Sequence, residues 1–212
     1  MSPRARGLTR RGKARHAERL PAGKRRESIV EAALAVFGAS SYASATTAAI
    51  AAAAGVSEPI LYRHFASKKD LYVACLDESW HRLRAAWEEA REAAEPGAHL
   101  VALSEPAIEL SRGGTALPPT LWMQAFAEAG VDDEIRRAVR RVIGEVHDVV
   151  RRALEDGQRK GVVHADRDPS SEAWIVVSSL LLHTLASRVG GLLERGDIER
   201  VRAQRLRWLA GA

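Results

Sequence analysis

The residues that could support acid–base or metal chemistry are scattered along the chain. No two of the seven histidines lie within four positions of each other, and the single cysteine, Cys75, excludes an intramolecular disulfide and a cysteine-only metal site. No H-E-x-x-H, G-x-S-x-G or G-x-G-x-x-G pattern occurs. Asp132 and Asp133 are adjacent acids at a predicted helix start, where negative charge complements the helix dipole. We therefore expect no catalytic residue, metal or cofactor, and we interpret Cys75 as a small core residue.

The stretch Gly7–Ala14 comes close to a phosphate-binding P-loop. Gly7, Gly12 and Lys13 have the required spacing, but Ala14 stands where a Ser or Thr hydroxyl would hold magnesium. No predicted strand precedes the stretch, which lies in a basic tail. We expect no nucleotide site here.

Positive charge is concentrated at the N-terminus. Of the formal net charge of +5, residues 1–26 contribute +9 and the remaining 186 residues contribute −4. A basic arm suits a polyanion such as nucleic acid, although a merely solvated tail would have the same composition. Residues 1–24 show no sustained apolar period and are predicted to be disordered.

The rest of the chain has the composition of helices. A length of 212 residues allows one or two domains, and 46% apolar with 28% charged residues is ordinary for a globular protein. Helices are predicted at about 26–40, 47–55, 57–65, 67–95, 98–112, 118–129, 132–160, 169–189 and 196–210. The predicted fold is all-α, with a three-helix head (residues 25–72) and a larger helical body (residues 73–212). No membrane span or secretory signal is found, so we expect a cytoplasmic location.

The segment from Thr46 to Leu71 has the local chemistry of a helix-turn-helix. Its first helix is rich in alanine and can pack closely, and Gly55 supplies the positive φ that ends it. Ser57 is expected to cap the second helix, and Pro59 is tolerated in its first turn. Ser67 with Asp70 is a candidate cap for the following helix.

From Ile50 to Leu71 the chain follows the pattern I-A-x-A-A-G-V-S-x-x-x-L-Y-x-H-F-x-S-K-x-x-L. Leu61 and Phe65, four positions apart, should face the core together. This segment resembles the DNA-binding head of the TetR (tetracycline-repressor-like) family of bacterial transcriptional regulators. The resemblance covers residues 25–72, and beyond them only the helical layout matches. It implies a homodimer that binds a double-stranded DNA operator and is therefore associated with the nucleoid.

The resemblance also implies roles in DNA contact. The first turn of the second helix would meet base edges, and residues at three other helix ends would contact phosphates. The predicted DNA-binding residues are Thr46, Ser57, Glu58, Pro59, Ile60, Tyr62, Arg63, His64 and Lys68. Glu58 would either accept a hydrogen bond from a cytosine amino group or point to solvent. Thr47 departs from the family pattern, which commonly has an aliphatic residue there.

Two predicted helices of the body suit close helix pairing. Apolar residues recur every three or four positions within 132–160, and the helix near 169–189 is apolar nearly all round. In TetR-like proteins the corresponding helices form a four-helix bundle across a two-fold axis. The predicted dimer interface comprises Ile135, Val139, Val142, Val146, Val149, Val177, Leu181 and Leu185.

Large side chains of the body are candidate walls of an effector pocket, although each would also serve as ordinary core. They are Trp80, Trp87, Trp122, Met123, Phe126, His147 and Trp174. The resulting hypothesis is a dimeric repressor that a small hydrophobic effector releases from a pseudo-palindromic operator. One alternative is the same head without a small-molecule effector, controlled by a protein partner or by abundance. A helical enzyme is the other, and no constellation of residues supports it.

Overall fold

The computed structural model of the chain describes residues 21–94 and 118–211. Across these two ranges it contains α-helices and no strand, which confirms the predicted all-α fold. The helices are α1 (Ala22–Ala39), α2 (Thr47–Ala53), α3 (Glu58–His64), α4 (Lys68–Ala93), α5 (Pro119–Glu128), α6 (Asp133–Arg159), α7 (Pro169–Arg188) and α8 (Arg195–Ala210). The predicted helix at 98–112 and residues 1–20 of the predicted tail lie outside the described residues. No helix within the described ranges is long and apolar enough to cross a membrane.

Helix α1 begins at Ala22, earlier than the predicted start at Arg26. Pro21 occupies the N-cap position, and its carbonyl accepts a hydrogen bond from the Arg25 amide at 3.0 Å. Proline fixes φ near the value that a helix start needs, so it begins the helix without any side-chain cap. The predicted end of the tail at residue 24 therefore falls inside α1.

The helix-turn-helix forms as the sequence predicts. The Thr46 hydroxyl caps α2 by accepting from the Ala49 amide at 3.1 Å. Gly55 then takes a φ of +65°, and the Val56 amide donates to the Ala51 carbonyl at 2.9 Å. Only glycine adopts that conformation at no steric cost, so this short turn leads directly into α3.

Of the two predicted serine caps, one forms and one does not. Ser67 accepts from the Asp70 amide at 3.0 Å and caps α4 as predicted. Ser57 occupies the N-cap position of α3, but its side chain makes no capping hydrogen bond, which corrects the prediction. The reason is local: Pro59 has no amide proton, and the Ile60 amide donates to the backbone carbonyl of Ser57 instead.

One apolar core runs through the head and into the body. Leu61 and Phe65 are 0% and 1% exposed, which confirms that they face the core, and Cys75 is buried with them. The same cluster continues through Leu121 of α5 and Ile135 of α6. The predicted division between residues 72 and 73 lies within α4, and the core is continuous across it.

The body is built from α6 and α7, with α8 fixed against them. The carboxylate of Glu172, which is buried on α7, pairs with Arg205 and accepts from the Trp208 indole at 3.0 Å. The His164 amide also donates to the Leu209 carbonyl at 2.7 Å. These bonds attach α8 to α7 and to the segment between α6 and α7.

The apolar stripe of α6 packs inside its own chain, which corrects the predicted dimer interface. Ile135, Val139, Val142 and Val146 are between 0% and 8% exposed, and Val177 of α7 is 3% exposed. Side chains already covered by the monomer have almost no surface left to bury against a second chain. Val149 is only partly buried and packs against the same core. Leu181 and Leu185, by contrast, remain 37% and 39% exposed on α7.

Candidate functional site

Helix α3 offers a polar, accessible face to a partner. Leu61 holds the helix on the core, while Ser57, Pro59, Tyr62 and Arg63 are exposed on the side away from it. Of the other predicted DNA-binding residues, Thr46 is exposed, and Glu58, Ile60, His64 and Lys68 are half-buried. The basic end of α3, with Arg63 and His64, suits an anionic polymer.

Glu58 is held by α2. The Thr47 hydroxyl donates to Oε1 of Glu58 at 2.6 Å and lies 3.2 Å from the Tyr62 hydroxyl oxygen. Glu58 therefore does not simply point to solvent, because one carboxylate oxygen is engaged within the protein. The other oxygen has no partner among the described residues and can only accept a hydrogen bond. The sequence marked Thr47 only as an unusual residue, and its bond to α3 was not predicted.

Lys68 bonds to the turn that precedes α2. Its ammonium donates to the carbonyls of Tyr42 and Ala45 at 2.9 and 3.2 Å and lies 4.6 Å from the Tyr42 ring centroid. An ammonium has three protons, so one remains for a phosphate. The predicted phosphate contact of Lys68 stays a prediction, and the structure adds an internal role that sequence reasoning missed.

A small cavity lies in the body between α4, α5, α6 and α7, with a volume of about 80 Å³. Ten apolar or aromatic residues and two polar residues, His183 and Thr184, line it among the described residues. Trp80 and Trp122 are the two predicted wall residues that do line it. Their indole N–H groups donate to Glu145 at 2.6 Å and to Ser79 at 2.9 Å, which fixes both rings.

The other five predicted wall residues are not part of this cavity. Trp87 packs edge-on against Trp80 with ring centroids 5.7 Å apart, and Phe126 packs against the core shared with the head. The His147 ring lies 4.4 Å from that of Trp174, which is 51% exposed on the outer side of α7. Met123 is half-buried and does not reach the cavity. No pattern in the sequence pointed to His183 and Thr184 as lining residues.

An apolar surface follows α7, and α8 also exposes Val201 and Trp208. Along α7 it includes Trp174, Ile175, Leu181, Leu182 and Leu185, each at least 37% exposed. The pairs 174/181 and 175/182 are two helical turns apart, and 185 follows one turn after 181 and 182, so these positions share one side of the helix. Extended apolar surfaces of this kind mark interaction sites in soluble proteins.

The fold defines a class of protein: a helix-turn-helix module joined to a body that is helical in its described residues. Residues 29–75 match the family model described as bacterial regulatory proteins, tetR family. This match covers the head and agrees with the resemblance that the sequence predicted.

Two curated relatives match part of the chain. The HTH-type transcriptional activator FasR of Mycolicibacterium smegmatis is 44% identical over 82 residues, which are 36% of this chain and 37% of that protein. The HTH-type transcriptional regulator BetI of Rhizobium meliloti is 32% identical over 116 residues, 53% and 56% of the two chains. The chain thus spans less than two thirds of either relative.

Solved structures share the fold over most of the chain. The crystal structure of a TetR transcriptional regulator from Chloroflexus aurantiacus superposes with a TM-score of 0.74 at 21% identity. The match covers 88% of this chain and 94% of that one, so it includes the body as well as the head.

Proposed function

We propose that the protein is a homodimeric transcriptional regulator that binds a pseudo-palindromic DNA operator through α3. The observation that carries the proposal is the accessible polar face of α3, set on the core by Leu61 and Phe65. Two such helices related by a two-fold axis would enter successive major grooves on one side of the duplex. Operator binding would place the protein at the nucleoid.

Base reading falls to the first turn of α3, from Ser57 to Ile60. Glu58, with one oxygen held by Thr47, would present its other oxygen to an amino group in the major groove. Cytosine N4 and adenine N6 are the amino groups exposed there, and a good contact contributes about 1–3 kcal/mol of discrimination. Thr46, Tyr62, His64 and Lys68 would contact phosphates, which set orientation and carry no sequence information.

The dimer would form through the apolar surface of α7 and α8. Leu181, Leu182 and Leu185 lie on its exposed side, so they replace the buried residues of α6 as the proposed centre of a four-helix bundle. Burial of these side chains against a second copy would remove apolar surface from water. Each Å² of apolar surface buried stabilises the dimer by about 25 cal/mol.

A small hydrophobic effector would bind in the body cavity and release the operator. The walls are apolar, with His183 and Thr184 as polar contacts. A ligand acts only through different affinities for the DNA-binding and released states. Pockets for drug-sized ligands measure about 300–1,000 Å³, so a cavity of about 80 Å³ would take only a very small effector unless the body rearranges. This volume also favours the second candidate, a regulator without a small-molecule effector.

A helical enzyme gains no support from the site. Among the described residues no group of three His, Cys, Asp or Glu side chains could hold a metal ion. Burial also raises the pKa of the Cys75 thiol, which disfavours the reactive thiolate.

The test is selection of bound duplexes from a randomised pool, followed by fluorescence titration and sedimentation. Enrichment of an inverted repeat by a dimer supports the proposal, and no enrichment contradicts it. Glu58→Gln should shift the preferred base at one position of each half-site, whereas Arg84→Gln, an exposed change on α4, should not. A thermal-shift screen of small apolar compounds, with DNA release as the second readout, separates the two candidates.

A further inference from the structure

Helix α5 contacts the head on one side and the body cavity on the other. Trp122 and Pro119 of α5 line the cavity. Gln124 lies on the same helix, and its side chain reaches the turn between α1 and α2, residues 40–46. This turn leads directly into α2, the first helix of the helix-turn-helix.

Both polar atoms of Gln124 are bonded to the backbone of this turn. Its Oε1 accepts from the Tyr42 amide, and its Nε2 donates to the Ser40 carbonyl at 2.8 Å. The amide orientation is fixed by its partners, because an N–H must face the oxygen and a carbonyl must face the nitrogen. One side chain therefore joins two backbone groups that lie more than 80 positions away in sequence.

Two further contacts attach α5 to the head. A Cβ added to Gly38 of α1 would lie 3.1 Å from the side chain of Pro118, so α1 and the start of α5 are in close contact. The Tyr72 hydroxyl of α4 donates to the Leu121 carbonyl at 2.7 Å. These contacts restrict translation of α5, and Gln124 is the contact that ties it to the turn before α2.

We propose that Gln124 is a positioning residue that fixes the angle of the head on the body and so sets the half-site spacing that the dimer accepts. The inference rests on the proposed function, since spacing has meaning only for a dimer that binds two half-sites. One base pair of added spacing separates the half-sites by about 3.4 Å and rotates them by about 35° around the duplex. Only a head held at a defined angle can reject such a change.

The experiment measures affinity for duplexes whose selected half-sites are separated by the preferred spacer or by one or two base pairs more or fewer. The affinity of the wild-type protein should fall about tenfold or more for each base pair by which the spacer departs from the preferred length. This loss is comparable to that of one base contact. Gln124→Met keeps the side-chain length and removes both bonds. It should bind the preferred duplex more weakly and show a flatter profile across spacers.

Gln158→Met is the matched control. The Gln158 amide also donates to backbone carbonyls, those of His164, Ala165 and Arg167, but between α6 and α7. Its loss should lower thermal stability and leave the spacing profile sharp. A general loss of stability would weaken binding at every spacer equally, so the shape of the profile separates positioning from destabilisation.

Hydrogen exchange of the full-length protein without DNA provides a second readout. The Tyr42 amide should exchange faster in Gln124→Met than in wild type. If Gln124→Met fails to fold, Gln124→Glu replaces it: this variant keeps the acceptor for the Tyr42 amide but loses the donor to the Ser40 carbonyl, so its Tyr42 amide should also exchange faster than in wild type. Unchanged exchange, or a wild-type spacing profile in a folded Gln124 variant, would overturn the role of Gln124. Absence of DNA binding by the wild type would instead contradict the proposed function.

Discussion

Replacing Lys68 by alanine should destabilise the head, apart from any effect on DNA. The ammonium makes two hydrogen bonds to carbonyls, at 2.9 and 3.2 Å, and contacts the Tyr42 ring. Charged hydrogen bonds contribute about 1.5–3 kcal/mol each, and a partly exposed cation–π contact about 0.5–1 kcal/mol. Because Lys68 is half-buried, we take the lower value of each range. Against this gain stands the side-chain entropy lost when a lysine is ordered, about 1.5–2 kcal/mol. A net loss of about 2 kcal/mol follows.

The assay is thermal unfolding of Lys68→Ala beside Lys69→Ala. For a chain of this size a loss of about 2 kcal/mol corresponds to a Tm lower by about 4–8 °C. Lys69 occupies the same first turn of α4 but pairs at the surface with Asp132 and Glu134, at 3.1 and 3.0 Å. Surface ion pairs contribute little, so Lys69→Ala should unfold near the wild-type temperature.

An unchanged Tm for Lys68→Ala would refute the internal role argued from its bonds. Salt dependence of DNA binding then tests the phosphate contact by itself. If the third ammonium proton of Lys68 contacts a phosphate, the plot of log affinity against log salt concentration should be less steep for Lys68→Ala than for wild type. The expected difference in slope is about one unit per head. An unchanged slope with a lowered Tm would mean that Lys68 only supports the turn before α2.

Three further outcomes are expected. Cys75 is fully buried, so it should react with a thiol reagent only as fast as the protein unfolds, and rapid labelling of the native state would contradict this placement. Hydrogen bonds from Ser171 hold the pKa of Asp168 below its usual value. Ionised Asp168 therefore stabilises the fold fully above about pH 4, and this contribution is lost as the pH falls through the lowered pKa. Urea unfolding should therefore show a larger difference between wild type and Asp168→Ala at pH 7 than at pH 2. Leu182→Lys, on the exposed side of α7, should give a folded monomer by sedimentation and circular dichroism, and a persistent dimer would place the interface elsewhere.

The local features of the head could be predicted because they depend on short-range chemistry. Gly55 and Ser67 end and begin helices through bonds that span at most five positions, and a spaced pattern of residue types is enough to locate them. Ser57 shows the limit of this reasoning. Its residue type predicts a cap, but the following proline removes one donor, and the backbone takes the next.

The body could be predicted only in outline, because a periodic stripe identifies a buried face without identifying the neighbour. Val142 and Val146 belong to such a stripe, and their neighbours turned out to be helices of the same chain. Aromatic composition has the same limit, since Trp122 lines the cavity whereas Trp174 lies on the outside. The bonds of Gln124 join residues distant in sequence, which no local pattern reports.

The turn between α1 and α2 is held from outside by bonds to its backbone, which has a consequence for how the sequence can vary. Lys68 and Gln124 bind carbonyl and amide groups that nearly every amino acid possesses. Exposed positions such as Ala43 can therefore change freely during evolution without loss of these bonds. Proline at position 42 would not be tolerated, because it has no amide N–H to donate to Oε1 of Gln124. In a library covering every substitution, tolerance should be high at Ala43 and low at the two distant side chains that hold the turn.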